Sequence, residues 1–421
     1  MKFELYKIFR KKLVLFFIGV GLLWMSLSIL LPALKYKTFT EQMEPLIGID
    51  AIHYDRDLQN QYAGRYTADE LAVLYTEYET IYNNPDYQRS SDEAGYSFYP
   101  DTQNTTPLTD EAYYKYLNRY GVVARMGSRV KFLPLYIEDA KTSGNLVEFY
   151  QGSIVRLSSE DTLIPPADLA NPVVQKVLGR YDDLNMSFYG EYVNGWESFF
   201  NTVPLFFQYF VGVIILVGIA PVFAEERHFG TDKVLLTTRY GKSRLIVNKL
   251  IAGFLFSTVV FVLFFACSIL VCLMIYGTSG LNASIQLLPH CNLSPYNLSI
   301  GQALALWGAL GWGAALVIAA GALLISAASP TAFAAFIPVL VGYIVPVISF
   351  AGLSPELHRF MQLLPINTIG AIDRLFSMPD FYSVFGVLLE RKIISMIVWA
   401  IFIGLCITFS SYLFRNKGVS N

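Results

Sequence analysis

"FAEERHFGTDKVLLTTRYGKSRLIVNKLIAG", residues 223–253, decides how the chain is read. Gly241-Lys242-Ser243 matches the end of a phosphate-binding P-loop. That motif is G-x-x-x-x-G-K-[ST], set between a buried strand and a helix. Its first glycine would fall at position 236, which is Leu236. What precedes is a long apolar run and a charged turn, not a strand. The backbone nest that would cradle phosphates is therefore missing. The stretch reads instead as a link between two membrane helices. A charged run, Glu225-Glu226-Arg227-His228, leaves the first helix. Gly230-Thr231-Asp232 breaks the chain, and Thr231 or Asp232 caps a short apolar helix over 234–238. Tyr240-Gly241 turns, and Ser243 caps the helix that runs through Lys249 into the next apolar run. Such a link reads as a lever between two helices or as an ordinary basic loop.

Composition supports the membrane reading. The 421 residues are 54% hydrophobic and 15% charged, where a soluble chain carries about a quarter charged residues. About 20 consecutive apolar residues cross ~30 Å of hydrocarbon. Six uncharged stretches qualify: 13–34, 204–224, 250–276, 303–328, 333–353 and 393–414. A seventh, 357–378, is interrupted by Arg359, Pro365, Asp373 and Arg374. The first stretch is too long for a signal-peptide core and lacks an A-x-A site, so it reads as an anchor. The expected fold is an all-α polytopic membrane protein. It has six transmembrane helices plus a re-entrant or interfacial segment. Residues 1–34 form a cytoplasmic N-terminus and first helix. Residues 35–202 form a mainly helical extracytoplasmic domain, with α+β possible. Residues 203–421 hold helices two to six.

Basic residues near helix ends set orientation. Lys2, Lys7, Arg10, Lys11 and Lys12 face one acid, Glu4, at the N-terminus. Segment 225–249 and the tail are also basic, and all fall on one side of a six-span layout. That side is expected to be cytoplasmic, with both termini there. Segment 35–200 has 25 acids against 14 Lys/Arg and is expected outside. Arg391-Lys392 runs against this rule, with Glu390 beside it. Within the outer segment, Thr67-x-x-Glu70 is a capping box, and Asn171-Pro172 opens a helix. Segment 83–107 reads as a loop, and 144–164 as short strands. Trp196, Phe199 and Phe200 read as interfacial anchors. Pro338 and Pro346 kink the fifth span. Small residues at Ala309/Gly313 and Ala315/Ala319 allow close helix contact, within the subunit or across a dimer. The four cysteines form no disulfide or metal pattern, and the histidines are dispersed. No catalytic constellation appears, so no enzyme activity and no cofactor are expected.

The residues at 223–252 resemble the type-2 (ABC-2) permease subunits of ABC transporters. The shared features are Glu225-Glu226-Arg227, Gly230-Thr231, Leu235-Leu236, Ser243-Arg244 and Lys249. Arg239-Tyr240-Gly241 stands where many relatives have proline. A second likeness is "FMQLLPINTIGAIDRLF", 360–376, with Leu364-Pro365 at the bend of a re-entrant gate before the last span. The resemblance implies one half of an ATP-driven exporter. It implies a separate cytoplasmic ABC ATPase subunit and a second permease subunit, identical or homologous. The segment contacting the ATPase would comprise Glu225, Glu226, Arg227, Gly230, Thr231, Leu235, Leu236, Arg239, Gly241, Ser243, Arg244 and Lys249. An amphipathic or hydrophobic substrate fits the uncharged spans: peptide antibiotic, lipid or drug. The alternative is a membrane-anchored sensor whose outer domain binds ligand without translocation.

Overall fold

The computed structural model describes residues 2–40, 44–88, 109, 132–143, 170, 172–237, 243–348, 354–370, 375–377 and 379–416. The expected strands at 144–164, and most of the expected loop at 83–107, lie outside the described residues. An N-terminal helix, α1 (Lys2–Phe9), precedes the first long apolar helix, α2 (Lys12–Leu34). A two-stranded hairpin follows, β1 (Lys37–Phe39) against β2 (Pro45–Ile47), then α3 (Ile49–Asn60). β3 (Gly64–Thr67) leads into α4 (Ala68–Tyr82). The capping box forms as expected: the Thr67 amide donates to Glu70 Oε2 at 2.7 Å, and the Glu70 amide to Thr67 Oγ1 at 3.3 Å. Then come α5 (Phe132–Ser143), α6 (Pro172–Asp182) and β4 (Ser187–Gly190), which pairs antiparallel with β3.

The apolar core comprises α7 (Asn194–His228), α9 (Arg244–Tyr276), α10 (Ile300–Ala328) and α14 (Arg391–Asn416), with α2. Between α7 and α9 sits α8 (Thr231–Thr237). These five long helices are long and apolar enough to cross a membrane. The chain is thus a mostly helical, multi-pass membrane protein in type. The stretch expected as a span at 333–353 differs. It forms α11 (Ala332–Ile344), continued by a 3-10 turn over Val345–Val347. Pro346 in that turn cannot donate to an α-helical ladder, so the helix stops short. At 1.5 Å per residue its 16 residues reach only about 24 Å.

α10 is the central helix, packed against α7, α9, α11 and α14. A side chain at Gly218 of α7 would meet Phe256 of α9 at 2.2 Å, and one at Gly311 of α10 would meet Phe261 at 2.9 Å. The glycines therefore let the helices close. The small residues of α10 mostly serve packing inside the subunit: Ala315 and Ala319 are buried, and Gly313 faces Trp399 of α14, though Ala309 is exposed. Trp196, Phe199 and Phe200 are buried too, rather than facing lipid. The Trp196 indole donates to Ser279 O at 2.8 Å.

The segment before the last helix forms α12 (Pro355–Gln362) and α13 (Pro365–Ile369), with the break at Leu363-Leu364. Broken backbone inside an apolar bundle needs substitute donors. Trp399 Nε1 donates to Leu363 O at 2.9 Å, and Trp307 Nε1 to Ile369 O at 2.9 Å. Asn367 Nδ2 reaches both Pro346 O at 2.8 Å and Met361 O at 2.9 Å. Trp307 and Trp399 sit about two turns, roughly 10–12 Å, into their helices. The break is thus held by side chains of α10 and α14. Its far side meets α7, whose π turn at Phe207–Val211 places Gln208 against Gly370. Tyr343 of α11 donates to Gln208 O at 2.5 Å.

A final hairpin, β5 (Phe381–Val384) and β6 (Val387–Glu390), leads into α14. The carboxylate of Glu390 is buried and bonded to Arg180 of α6. Lys392 lies 2.8 Å from Glu390 and over the ring of Tyr296 at 3.9 Å. This local pairing offsets charge at the one basic pair that runs against the expected orientation. The outer segment is also tied to the loop after α9. Asn60 donates to Ser279 Oγ at 2.9 Å, and the Tyr181 hydroxyl to Leu293 O at 2.7 Å.

Asn367→Leu keeps the volume but removes the donor from the buried Pro346 carbonyl, costing about 1–3 kcal/mol, while Met361 O keeps the Leu364 amide. A melting temperature several degrees below wild type is expected in detergent. Trp312→Phe, which removes only an exposed bond to Thr258, should leave it near wild type.

Candidate functional site: a buried charge network where the helices end

The ends of α1, α7, α9, α10 and α14 converge. α7 delivers the charged run and α9 begins beyond α8, so Glu226 and Lys249 meet across the link. Lys249 is only 1% exposed, in the second turn of α9. An ammonium has three protons to place. Lys249 places them on Glu226 Oε1 at 2.7 Å, Glu4 Oε2 at 3.1 Å and Val222 O at 2.8 Å. The ring of Phe223 lies 5.6 Å from the same nitrogen. Lys7 of α1 adds a second cation, 3.4 Å from Glu226 Oε1 and 4.0 Å from Glu4 Oε1. Two carboxylates and two ammoniums thus balance in charge. Balance is what makes such burial tolerable, since an isolated buried charge costs several kcal/mol. One acceptor is left over: Glu226 Oε2 is buried with no donor among the described residues.

The flanking residues fasten this cluster to other helices. Lys11 pairs with Glu225 at 2.5 Å. Arg227 turns to α10, where its two terminal nitrogens donate to Ser329 O at 2.9 Å and Ala327 O at 2.7 Å. Those are carbonyls at the end of α10, which lack partners within the helix. Below, Pro221 interrupts the hydrogen-bond ladder of α7. Ser326 of α10 enters the gap. Its hydroxyl donates to Ala220 O at 2.7 Å and accepts from the amides of Phe223 at 3.0 Å and Ala224 at 3.2 Å. An inserted hydroxyl of this kind is a recognised cause of a helix kink. Phe223 also meets Phe414 of α14, with ring centroids 4.9 Å apart.

Several residues anticipated from sequence meet here and others do not. Glu225, Glu226, Arg227 and Lys249 are all engaged: Glu226 and Lys249 are buried, Arg227 is tied to α10, and Glu225 pairs with Lys11 while its side chain stays 45% exposed. Gly230 adopts φ +67°, a conformation that glycine holds without strain. The Thr231 hydroxyl donates back to Glu226 O at 3.1 Å. Ser243 precedes α9 but makes no side-chain cap, and Arg244 opens that helix. Leu235 and Leu236 lie in α8. Arg239 and Gly241 lie outside the described residues. Leu364 and Pro365 sit at the α12–α13 break, which faces the π turn near the middle of α7. What the link does present outward is Phe229, 69% exposed, and Val234, 68% exposed.

Sequence reasoning missed the part played by α1. Glu4, Lys7 and Lys11 are network members, and Phe9 packs on Phe256 at 5.1 Å. A signal was available: one acid among five basic residues, and one lysine at the mouth of an apolar helix. No protein-family model matches this chain, and a search of curated proteins finds no match.

Lys249→Met leaves Glu4 and Glu226 facing each other with Lys7 alone between them. Breaking a buried pair costs about 3–5 kcal/mol. Folded yield and thermal stability should fall sharply. Adding Glu226→Gln should recover part of the loss, which a double-mutant cycle reads as coupling between the two sites.

Proposed function

We propose that this chain is the membrane-spanning subunit of an ATP-driven ABC exporter of the type-2 class. ATP is hydrolysed on a separate cytoplasmic subunit, and the chain itself is not an enzyme. The end carrying the charge network is the cytoplasmic end, in the cell membrane, with both termini there. The outer segment at 35–202 faces away from it. A second permease subunit completes the pathway. On this reading α11, though only about 24 Å long, is a short sixth crossing that locally thins the bilayer, with α12–α13 as the re-entrant gate.

One observation carries this reading: the link between α7 and α9 is built as a joint. Salt bridges fix it to α1 and α9, and Arg227 and Ser326 fix it to α10. Force applied at Phe229 or Val234 would therefore reach several helices together. α7 then runs about 27 Å from Glu226 to Gln208, where it touches the α12–α13 break. A joint at one end of α7 and a broken hairpin against its central π turn suit a relay from an ATPase to an outer gate. The orphaned Glu226 oxygen suits a joint that exchanges partners between two states, since such shifts need differential contacts. The apolar spans favour an amphipathic or hydrophobic cargo: a peptide antibiotic, lipid or drug.

The test is purification from native membranes with a tag on this chain. A co-purifying subunit bearing P-loop ATPase motifs, with ATP hydrolysis in the eluate, is expected. Phe229→Glu places a charge on the exposed face of the link and should reduce that association at least tenfold, with the permease still folded. Absence of any ATPase, or an unaltered complex with Phe229→Glu, would remove the basis of the reading. A ligand-binding outer domain without an ATPase would point to a membrane-anchored sensor instead.

A further inference from the structure

The β5–β6 hairpin before α14 is uncharged along 381–389, "FYSVFGVLL". Two residues turn it, Phe385 at φ +50° and Gly386 at φ +81°. A two-residue turn with both φ angles positive favours Asn-Gly or Gly-Gly. A bulky side chain in the left-handed region is a rare choice, and backbone strain of this kind gathers at functional positions. Nothing among the described residues packs over the ring: Phe385 is fully exposed, and Val387 beside it is 58% exposed.

Both edges of the hairpin are held. On the β6 edge, Lys176 of α6 donates to Leu388 O at 2.7 Å. On the β5 edge, Arg359 of α12 donates to Phe381 O at 2.6 Å, and the Tyr382 hydroxyl returns to Arg359 O at 3.0 Å. One edge therefore faces the outer segment, and the other faces the first arm of the broken segment. Strands held between those two levels run along the end of the bundle, not away from it. β6 passes straight into the apolar helix α14. The tip lies about 13 Å from that point, the length of four strand residues. α12 also turns Leu357 and Phe360 outward, so the apolar rim continues beside the hairpin. Charge gathers only at the base. Arg391 and Lys392 open α14, and Lys176, Arg180 and Arg359 reach in from α6 and α12. Against these five cations stand two carboxylates, Asp380 and Glu390, a net charge of +3 beside an outer segment that is acidic. Cations at one level with an apolar, aromatic tip beside them are the pattern of an element seated in a membrane interface.

We propose that the β5–β6 hairpin is a finger that seats Phe385 in the lipid interface at this end of the bundle. Its partner is the bilayer surface. The ring lies among the first acyl carbons, and the cations at the base face the lipid phosphates. Burial in lipid removes the apolar surface of the ring and of Val387 from water, which offsets the strained turn. Because Arg359 is bonded to β5, the finger also fastens α12 to the membrane surface. The proposal rests only on the apolar helices spanning a membrane. It stands or falls independently of any ATPase.

The full chain is placed in nanodiscs of phosphatidylcholine and phosphatidylglycerol with a nitroxide label on Val387→Cys, beside the intact Phe385. Cys267→Ser removes the one native cysteine that is not buried. Depth is read from relaxation by oxygen, which partitions into lipid, against relaxation by a nickel chelate, which stays in water. A label at Leu405, exposed on α14, and free label in buffer set the scale. The label at 387 should lie about 5–10 Å below the phosphates. Phe385→Asp, a change on the exposed tip, should move it into water. Nickel access equal to that of free label, with Phe385 intact, would overturn the proposal. An unchanged depth with Phe385→Asp would do the same, since the ring would then anchor nothing. Poor access to both reagents would overturn it too, and would assign the tip to a contact with a second copy or another protein.

Discussion

The ammonium of Lys249 is the contact on which the rest of this structure depends. It lies in the second turn of a long apolar helix, out of reach of water. Without Glu4 and Glu226 its buried charge would stand uncompensated. Each partner comes from a different helix, so one buried cation holds the ends of α1, α7 and α9 in register. Around it, Arg227 and Ser326 extend the same tie to α10. All of these contacts join elements far apart in sequence: residue 4 to residue 249, residue 227 to residue 329.

The opposite half of the bundle meets a different constraint. There the chain breaks inside apolar surroundings, at Leu363-Leu364 and at the π turn of α7. Freed carbonyls at these breaks would be costly if left bare. Trp307, Trp399, Asn367 and Tyr343 supply the donors, each from another part of the bundle. The two halves use one solution at opposite ends: polar side chains crossing between helices where a helix cannot satisfy itself. α7 takes part in both.

Much of this architecture is legible in the amino-acid sequence, because hydrophobic length is a local property. The five long helices and the Thr67–Glu70 capping box each follow from neighbouring residues, while the bend at Leu364-Pro365 is expected only from the resemblance. α11 was harder. Its apolar run spans 333–353, and only the position of Pro346 hints that the helix stops early. The site was half legible. Glu226, Arg227 and Lys249 stand out as charges at the mouths of apolar runs. Their partners are harder to read, because Glu4 and the α10 carbonyls of Ala327 and Ser329 lie far away in sequence until the fold brings them together. Trp196 shows the same limit from the other side. An aromatic residue at the head of an apolar helix suggests a lipid interface, yet tertiary packing against Ser279 buries it.

The central claim is that the joint at Glu226–Lys249 and the break at α12–α13 move as parts of one relay. Spin labels at Val234 and Leu357, both exposed, would measure it by electron–electron distance in the assembled complex. The account predicts a shifted distance distribution when ATP is trapped, and no shift when Arg227→Gln cuts the tie to α10. A distance that ignores nucleotide in the intact complex, or that shifts equally without Arg227, would contradict it.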